Sequence, residues 1–315
     1  MGAKQRHSLN QTHRTTIRSK MRNEREILTL IFDFAQNHQA IRAVTLEGSR
    51  ANPNITNDRF CDYDIVFFLN RQTLQGFIED KSDSWLGYFG NPLMLQKPES
   101  MELYPPDLKK GWFSYLCLFD DGVRIDFKLI PLEDIEFYQH NERLMQVLLD
   151  KDKRFADALP ASDCAFFIKP LSRQSFLDCC NEFYWLYVCV EKDLLRGEIL
   201  LANAHLNFMR ESLLIMLSWH IAISREAFDF SLGKEYKFLP RFLTKKQTQK
   251  LYECYHLGDK KQAKKTLKSL EKLFAKIARK VRDSHFKDLH TLPYRAESKA
   301  YTKILKHIAK SPKTK

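Results

Sequence analysis

Three aspartates in the first half of the chain have the spacing of a carboxylate site built on neighbouring strands. Asp62 and Asp64 stand at the start of an apolar run, residues 62–69. Side chains two residues apart on a strand lie on one face, roughly 7 Å apart at Cα. Asp126 alternates with apolar residues in a second run, 123–130. If the two runs form neighbouring strands, we expect the three carboxylates to converge.

Converging carboxylates repel one another, and a bound cation relieves that repulsion. Mg²⁺ suits such a site because it prefers oxygen ligands and shares itself with substrate phosphates, and two such ions can bridge the attacking and leaving oxygens of a phosphoryl displacement. We therefore expect Asp62 and Asp64 to hold Mg²⁺. Asp126 completes this metal site, and it is the expected acceptor of the proton from the attacking hydroxyl.

A Gly-Ser-Arg segment follows another strand-like run, from Ile41 to Glu47. Gly48 lets the backbone approach a phosphate closely. The hydroxyl of Ser49 is a donor, and Arg50 can pair with phosphate oxygens. Each fragment is common by itself. Their order along the chain predicts an enzyme that binds Mg²⁺ and a nucleoside triphosphate.

The flanking patterns predict an α+β fold. Strand-like runs occur at 41–47, 62–69, 113–119 and 123–130, and Asp120-Asp121-Gly122 between the last two is a hairpin signal. Strand patterns end at about residue 172, and helical repeats follow at 176–192, 198–224 and 259–282. We predict a domain with a mixed β-sheet and helices, followed by an all-helical domain.

The net charge of +12 is concentrated at the two ends of the chain. Residues 1–22 carry six Lys or Arg and residues 299–315 carry six Lys, with no acidic residue in either segment, so the remainder is formally neutral. A nucleic-acid partner is therefore not expected, and a neutral body suits a cationic substrate. The predicted organisation is a basic disordered extension (1–20), the sheet domain (21–150), a connection (151–171), the helical substrate-binding domain (172–297) and a basic tail (298–315).

Two further patterns bear on the compartment. The sequence contains no apolar run of about 18 residues for a membrane span and no signal-peptide core. Its seven cysteines lie mostly in apolar segments without the spacing of a zinc site, which is typical of reduced core thiols. We expect a cytoplasmic protein with no membrane partner.

Longer stretches in both halves of the chain carry a resemblance to one family. They are residues 45–55 with 62–65, 94–102 and 111–115 in the first half, and 179–183, 218–221 and 233–238 in the second. These stretches resemble the aminoglycoside 6-adenylyltransferases, which modify streptomycin. The resemblance implies a nucleotidyltransferase domain and a helical domain with a cleft between them. It also implies Mg²⁺-dependent transfer of AMP from ATP to a hydroxyl of an aminoglycoside such as streptomycin, with release of pyrophosphate and antibiotic resistance as the result.

The segment Gly-Lys-Glu-Tyr-Lys-Phe at 233–238 supplies two candidate nucleotide-binding residues. By the resemblance, Lys234 and Lys237 reach the triphosphate from the helical domain and neutralise charge on the leaving pyrophosphate. An ordinary solvated loop explains the two lysines equally well.

The resemblance also implies residues that bind the acceptor. Glu102 and Glu182 are the candidate carboxylates, and Trp112 and Trp185 are candidate walls of the pocket, although aromatic core is the default for either ring. One position departs from the family pattern, because Ala204 stands where the family has an acidic residue. The departure leaves the nucleotidyl-transfer residues intact and puts the acceptor in doubt.

Two alternatives stay open at the level of sequence. The same chemistry serves an adenylyltransferase that acts on another small hydroxyl compound or on a protein. A non-catalytic nucleotide-binding or RNA-binding protein would use the basic ends, but three convergent carboxylates do not help a protein to bind a polyanion. The modified hydroxyl, the nucleotide preference and the oligomeric state do not follow from the sequence.

Overall fold

The computed structural model describes residues 21–106, 108–256 and 258–309. The chain divides into two compact units between Ala165 and Phe166, a position that lies inside the predicted connection 151–171. The bounds given above for the domains remain predictions. The predicted extension 1–20 lies outside the described residues, as do residues 310–315 of the predicted tail.

The described part of the first unit is a mixed sheet with helices. Its strands are β1 (Ile41–Glu47), β2 (Tyr63–Leu69), β3 (Pro92–Gln96), β4 (Phe113–Phe119), β5 (Arg124–Pro131) and β6 (Met145–Asp150), and its α-helices are α1 (Glu24–Asn37), α2 (Gly48–Ala51), α3 (Arg71–Glu79) and α4 (Ile135–Asn141). The six strands form one sheet in the order β3-β4-β5-β2-β1-β6. Neighbours are antiparallel except β2 and β5, which are parallel.

The two faces of the sheet differ because side chains alternate along each strand. One set of β5 side chains is buried in the core that also contains Ile27 and Ile31 of α1; these are Ile125, Phe127 and Leu129. The other set is only partly buried, on the opposite face; these are Arg124, Asp126 and Lys128. The polar set therefore lies on the face that α1 leaves uncovered.

Four strands were predicted from the sequence, and all four are present. Two have the predicted bounds, 41–47 and 113–119, β2 begins one residue later than predicted, and β5 is shifted by one residue at both ends. The predicted turn joins β4 to β5, with Gly122 at φ +84°. The sequence analysis did not identify β3 and β6, which lie at the two edges of the sheet and carry mostly exposed or half-buried side chains.

The described part of the second unit is built from helices and short 3₁₀ turns. The helices are α5 (Arg173–Arg196), α6 (Ile199–Arg225), α7 (Lys245–Tyr252), α8 (Lys260–His285) and α9 (Arg295–Ile308). The apolar faces of α5, α6, α7 and α8 share one core, in which the rings of Phe183 and Phe274 stack at 3.7 Å between centroids. The predicted fold class, a mixed-sheet domain followed by a helical domain, is confirmed.

The last helix crosses a predicted boundary. The basic tail was placed at 298–315, but α9 begins at Arg295, and Ser298 and Thr302 are buried. The lysines of this segment therefore lie on a packed amphipathic helix as far as the structure describes it. Charge composition alone did not reveal that Lys299 and Lys306 form ion pairs with Glu271 and Glu191 of the same unit.

Two other predictions concern the compartment. Among the described helices, none is long and apolar enough to cross a bilayer. All seven cysteines lie in described segments and are free thiols, and Cys117, Cys179, Cys180 and Cys254 are buried.

Candidate active site

The strand register brings three carboxylates side by side. Glu47 ends β1 opposite Asp64 of β2, and Asp64 stands opposite Asp126 of β5. Asp62 directly precedes β2. The predicted condition for convergence, that the two aspartate-bearing strands are neighbours, is therefore met, and Glu47 adds a fourth carboxylate to the group.

Asp64 lies at the centre of this group, and its ionisation is the most strongly affected. Burial, followed by the negative charges of Asp126, Glu47 and Asp62, raises the pKa of Asp64 to about 6, and Lys128 opposes the rise. Asp64 forms no ion pair with any residue that the structure describes. A group in this setting favours a nearby cation.

Arg124 links two of the carboxylates. Its Nε and Nη2 donate to the two oxygens of Asp126 at 2.8 and 2.7 Å, and its Nη1 lies 3.3 Å from Oδ2 of Asp62. Burial raises the pKa of Asp62, and the Arg124 charge opposes this rise. The guanidinium therefore occupies a position between Asp62 and Asp126.

Glu47 and Lys128 form a second pair in the same site. Lys128 Nζ donates to Glu47 Oε2 at 2.8 Å, while Oε1 of Glu47 is buried without a hydrogen-bond partner among the described residues. Neither residue was assigned to the site from the sequence. A signal was present, because Glu47 directly precedes Gly48-Ser49 and Lys128 shares a strand face with Asp126.

Gly48, which was predicted to let the backbone approach a phosphate, lies beside Asp64. Its φ is +68°, and a Cβ at this position would lie 2.5 Å from Oδ2 of Asp64. Its N–H donates to the carbonyl of Leu144 at 3.1 Å, so this N–H is already bonded to protein. The glycine makes room for the Asp64 carboxylate, and its role beside a phosphate stays a prediction. Ser49 follows it in the first turn of α2 and is partly exposed.

Arg50, which was predicted to bind phosphate, makes its contacts with protein atoms in this structure. The residue is only 9% exposed, and its Nε donates to the carbonyl of Asp62 at 3.1 Å. Its Nη2 donates to the carbonyls of Cys61 at 2.8 Å and Asp58 at 3.4 Å, and the guanidinium stacks 3.7 Å from the ring centroid of Tyr63. Arg50 therefore holds the loop that carries Asp62.

Trp112, which was predicted as a wall of the acceptor pocket or as aromatic core, has the surroundings of a core residue. It is 8% exposed, and its indole N–H donates to Asp134 at 2.8 Å. It packs beside Tyr138 and Phe137. Trp112 is thus a core residue whose polar atom is satisfied within the unit. Glu102, the other acceptor residue predicted in this unit, is exposed.

The two predicted nucleotide-binding lysines belong to a strained segment of the second unit. Lys234 and Lys237 are exposed, and three residues between 233 and 236 have positive φ, of which Glu235 (+54°) and Tyr236 (+58°) are not glycine. Such conformations cost of order 1–3 kcal/mol each and cluster at functional sites. The backbone is consistent with a binding loop, and the lysine roles remain predictions.

The predicted acceptor residues of the second unit lie on α5. Glu182 and Trp185 are three positions apart, hence on one helix face, and both are exposed, Trp185 by 69%. Trp185 also lines a groove of about 510 Å³ together with Tyr294 and Tyr301. Ala204 is exposed on α6.

The donor set of the first unit fits Mg²⁺ in its chemistry. It offers hard carboxylate oxygens, a central aspartate with a raised pKa and an unpaired buried oxygen on Glu47. In the part of the chain that the structure describes, no three His, Cys, Asp or Glu side chains are arranged to coordinate one ion. Arg124 engages both oxygens of Asp126 in this arrangement.

Comparisons with known proteins cover nearly the whole described chain. The sequence profile of the streptomycin adenylyltransferase family matches residues 21–308. An aminoglycoside 6-adenylyltransferase of Bacillus subtilis is 43% identical over 83% of this chain and 90% of its own length. The corresponding enzyme of Staphylococcus aureus is 39% identical over 83% and 91%.

A third relative and a solved structure match the chain at similar sequence identity and coverage. The aminoglycoside 6-adenylyltransferase of Campylobacter jejuni is 41% identical over 83% of this chain and 88% of its own length. The crystal structure of an aminoglycoside 6-adenyltransferase from Bacillus subtilis matches 92% of this chain and 100% of that chain at 38% identity, with a TM-score of 0.42. By the profile match and the identities to the three relatives, the chain belongs to the streptomycin adenylyltransferase family and is a nucleotidyltransferase.

Proposed function

We propose that this enzyme transfers AMP from ATP to a hydroxyl of an aminoglycoside, namely the 6-hydroxyl of streptomycin, in a Mg²⁺-dependent reaction that releases pyrophosphate. One observation carries the proposal: the register that aligns Glu47, Asp64 and Asp126 beside the Gly48-Ser49 turn. The names of three relatives at 39–43% identity support the acceptor class.

The reaction needs a proton acceptor and a site for negative charge. Asp62, Asp64 and Asp126 would hold Mg²⁺, which when bound neutralises phosphate charge and lowers the pKa of the attacking hydroxyl. Asp126 accepts the hydroxyl proton. The hydroxyl oxygen forms a bond to the α-phosphorus, the bond from that phosphorus to the bridging oxygen breaks, and pyrophosphate leaves with the electron pair.

The phosphates need donors of hydrogen bonds and positive charge. Arg50 and Gly48 were predicted to face them, and in this structure Arg50 donates to the carbonyl of Asp62 and Gly48 donates its N–H to the carbonyl of Leu144. We assign the phosphates to Ser49 of the first unit and to Lys234 and Lys237 of the second. Lysines suit a leaving pyrophosphate because they provide compact positive charges where negative charge develops.

The acceptor is a polycation, and its binding site should offer carboxylates and flat rings. Streptomycin carries two guanidinium groups, which carboxylates bind best in bidentate pairs. Glu182 beside the exposed ring of Trp185 offers both features on one face of α5. Glu102 is the candidate from the first unit. Ala204 lacks the carboxylate that the family pattern has, so we expect streptomycin to be a weaker substrate here than for typical relatives.

The test uses purified full-length protein with Mg-ATP and a panel of aminoglycosides. We expect pyrophosphate release that depends on streptomycin, and a streptomycin product whose mass is increased by one adenylyl group. The Asp64→Asn variant is the control for background hydrolysis. Transfer to another small hydroxyl compound would keep the nucleotidyl-transfer chemistry and replace the acceptor. The absence of pyrophosphate release with every acceptor would contradict the proposal.

A further inference from the structure

We propose that Arg124 is a built-in counter-cation of the carboxylate site, which competes with the divalent ion for Asp62 and Asp126 and releases them when that ion binds. This inference rests on the metal-dependent function proposed above. It concerns a residue that has no assigned role in the transfer reaction.

The contacts of Arg124 define the competition. Two parallel hydrogen bonds, at 2.8 and 2.7 Å, occupy both oxygens of Asp126, and the third nitrogen lies 3.3 Å from Asp62. Bidentate pairs of this kind are stronger and more directional than single contacts. A metal ion bound by Asp62 and Asp126 needs the same oxygens. The guanidinium and the ion therefore compete for these oxygens, and their positive charges repel each other.

The charges around Arg124 explain why a counter-cation is needed. Lys128 pairs with Glu47, and Arg124 is shared by Asp62 and Asp126, so two cations serve the four carboxylates of the group. The remaining carboxylate, Asp64, is the one without an ion pair among the described residues. Without Arg124, the repulsion among the aspartates would be larger.

The surroundings of Arg124 allow it to move. Its side chain is 40% exposed, whereas that of Asp126 is 15% exposed. Arg124 also lines a cavity of about 340 Å³ together with Asp62, Arg59 and Phe60. The arginine, rather than the aspartate, is thus the partner with free volume beside it. Release of Asp62 and Asp126 from this two-sided contact, here called the Arg124 clamp, requires a rotation of one long side chain and no change of the strand.

Competition of this kind lowers the apparent affinity for the ion. A protein whose binding-competent state is only fractionally populated binds its ligand more weakly by that fraction. Removal of the guanidinium should therefore tighten the binding of a divalent cation. An increase in affinity for the cation distinguishes competition from support, because loss of a residue that merely supports the site should weaken binding.

The experiment measures Mn²⁺ binding to the metal-free, full-length protein in the absence of nucleotide, by electron paramagnetic resonance. We expect Arg124→Gln to lower the Kd for Mn²⁺ about fivefold, which corresponds to about 1 kcal/mol. The matched control is Arg42→Gln, since Arg42 makes a similar two-bond pair with Asp152 at the other end of β1. The control should leave the Kd unchanged.

A second variant separates the clamp from simple charge. Arg124→Lys keeps the positive charge but cannot make two parallel N–H···O bonds. We expect its Kd for Mn²⁺ to lie between those of the wild type and Arg124→Gln. A Kd equal to that of the wild type would overturn the clamp. This variant also carries the test if Arg124→Gln does not fold, as judged by circular dichroism.

The Asp64→Asn protein distinguishes a failure of the inference about Arg124 from a failure of the proposed metal site. If wild-type Mn²⁺ binding depends on Asp64 but Arg124→Gln binds no more tightly, the inference about Arg124 is wrong and the proposed metal site stands. If Mn²⁺ binding does not depend on Asp64 in either background, the metal site itself is wrong, and the role of Arg124 falls with it.

Discussion

Asp64 shows how the fold changes one residue's chemistry. Its pKa of about 6 in the folded protein lies above the value of about 3.9 for an ordinary aspartate. The native state therefore binds a proton more readily than the unfolded state between these two values. As pH falls from about 7 to about 4, the contribution of Asp64 to stability rises, and above pH 6 its charge destabilises the metal-free protein.

Asp64→Asn removes this charge from the centre of the site. At pH 7.5 and in the presence of a chelator, we expect the variant to be more stable than the wild type by on the order of 2 kcal/mol. The difference should vanish near pH 4, where the wild-type carboxyl is protonated. Urea denaturation at the two pH values measures the effect. Turnover in Mg-ATP and acceptor should fall by orders of magnitude.

The pH dependence of the stability difference between Asp64→Asn and the wild type serves as a control. A stabilisation that is equal at both pH values would mean that the amide packs better, and that charge is not the cause. Normal turnover in a folded Asp64→Asn protein would contradict the assignment of the aspartates as metal ligands.

Gly48 is required by two independent constraints. Gly48→Ala should lower the free energy of unfolding by roughly 1–2 kcal/mol because of the left-handed φ. It should also reduce turnover, because the new Cβ displaces the Asp64 carboxylate that lies 2.5 Å away. Urea denaturation and initial rates measure the two effects.

Gly76→Ala is the matched control for this substitution. Gly76 lies within α3, and a Cβ there would have no atom within 4 Å. Alanine in a helix interior is favoured over glycine by about 1 kcal/mol. The control should therefore be neutral or stabilising. Equal losses of turnover in the two variants would show that the Asp64 contact is not the cause.

At the scale of elements, the loop between α2 and β2 is held from two sides. Arg50 donates to three of its carbonyl oxygens, at residues 58, 61 and 62. Asp163, which is 3% exposed, accepts hydrogen bonds from Asn52 and Asn54 at the start of the loop. The loop ends at Asp62, so the position of this carboxylate depends on contacts that are distant in sequence.

Arg50→Gln tests whether Arg50 positions the loop. We expect a loss of stability of about 2 kcal/mol, on the order of one hydrogen bond to a charged group, together with faster proteolysis between residues 52 and 62. The value of kcat should fall because Asp62 is less well held. Denaturation, limited proteolysis and steady-state rates measure these effects.

The control lies on the same loop. Arg59→Gln removes an exposed guanidinium that lies over Phe60, and its stability should stay within about 0.5 kcal/mol of the wild type. A higher KM for ATP in Arg50→Gln, with unchanged proteolysis and stability, would contradict the loop-positioning role and favour the predicted phosphate-binding role of Arg50.

At the scale of the whole molecule, the proposed reaction draws residues from both units. The first unit contains the carboxylate group, and the predicted substrate-binding residues of the second unit are Lys234, Lys237 and Glu182 on the exposed face of α5. This division suits an enzyme that keeps a constant transfer site and varies its acceptor. Acceptor preference should therefore respond to changes in the second unit, while the metal site is unaffected.

Ala204→Asp tests this separation. A carboxylate at this exposed position of α6 should improve the apparent affinity for streptomycin by about 1–2 kcal/mol, on the order of one charge-assisted hydrogen bond. The comparison is kcat/KM for streptomycin in both proteins, and the KM for ATP should not change. Ala204→Asn, which has the same shape without the charge, is the control. An equal gain in the two variants would mean that charge does not select the acceptor.

Local sequence patterns were sufficient to predict those strands of the first unit in which buried and partly exposed side chains alternate. Asp126 stands among apolar neighbours on β5, and the Asp-Gly turn before it predicted the hairpin, because both signals depend on residues within a few positions. The assignment of Asp62, Asp64 and Asp126 to one site required only that two strands be neighbours. The edge strands β3 and β6 lacked such a signal because few of their side chains are buried.

The direction and partners of individual side chains were decided only by the tertiary structure. Arg50 and Trp112 have types that suit a binding site, yet one donates to a loop that follows it and the other to Asp134. Glu47 joined the aspartates through strand register, which brings together residues that are far apart in sequence. Sequence determined which chemistry the chain offers. Only the packing of distant segments decided which polar groups bind protein atoms, because each hydrogen bond and ion pair depends on where the chain returns.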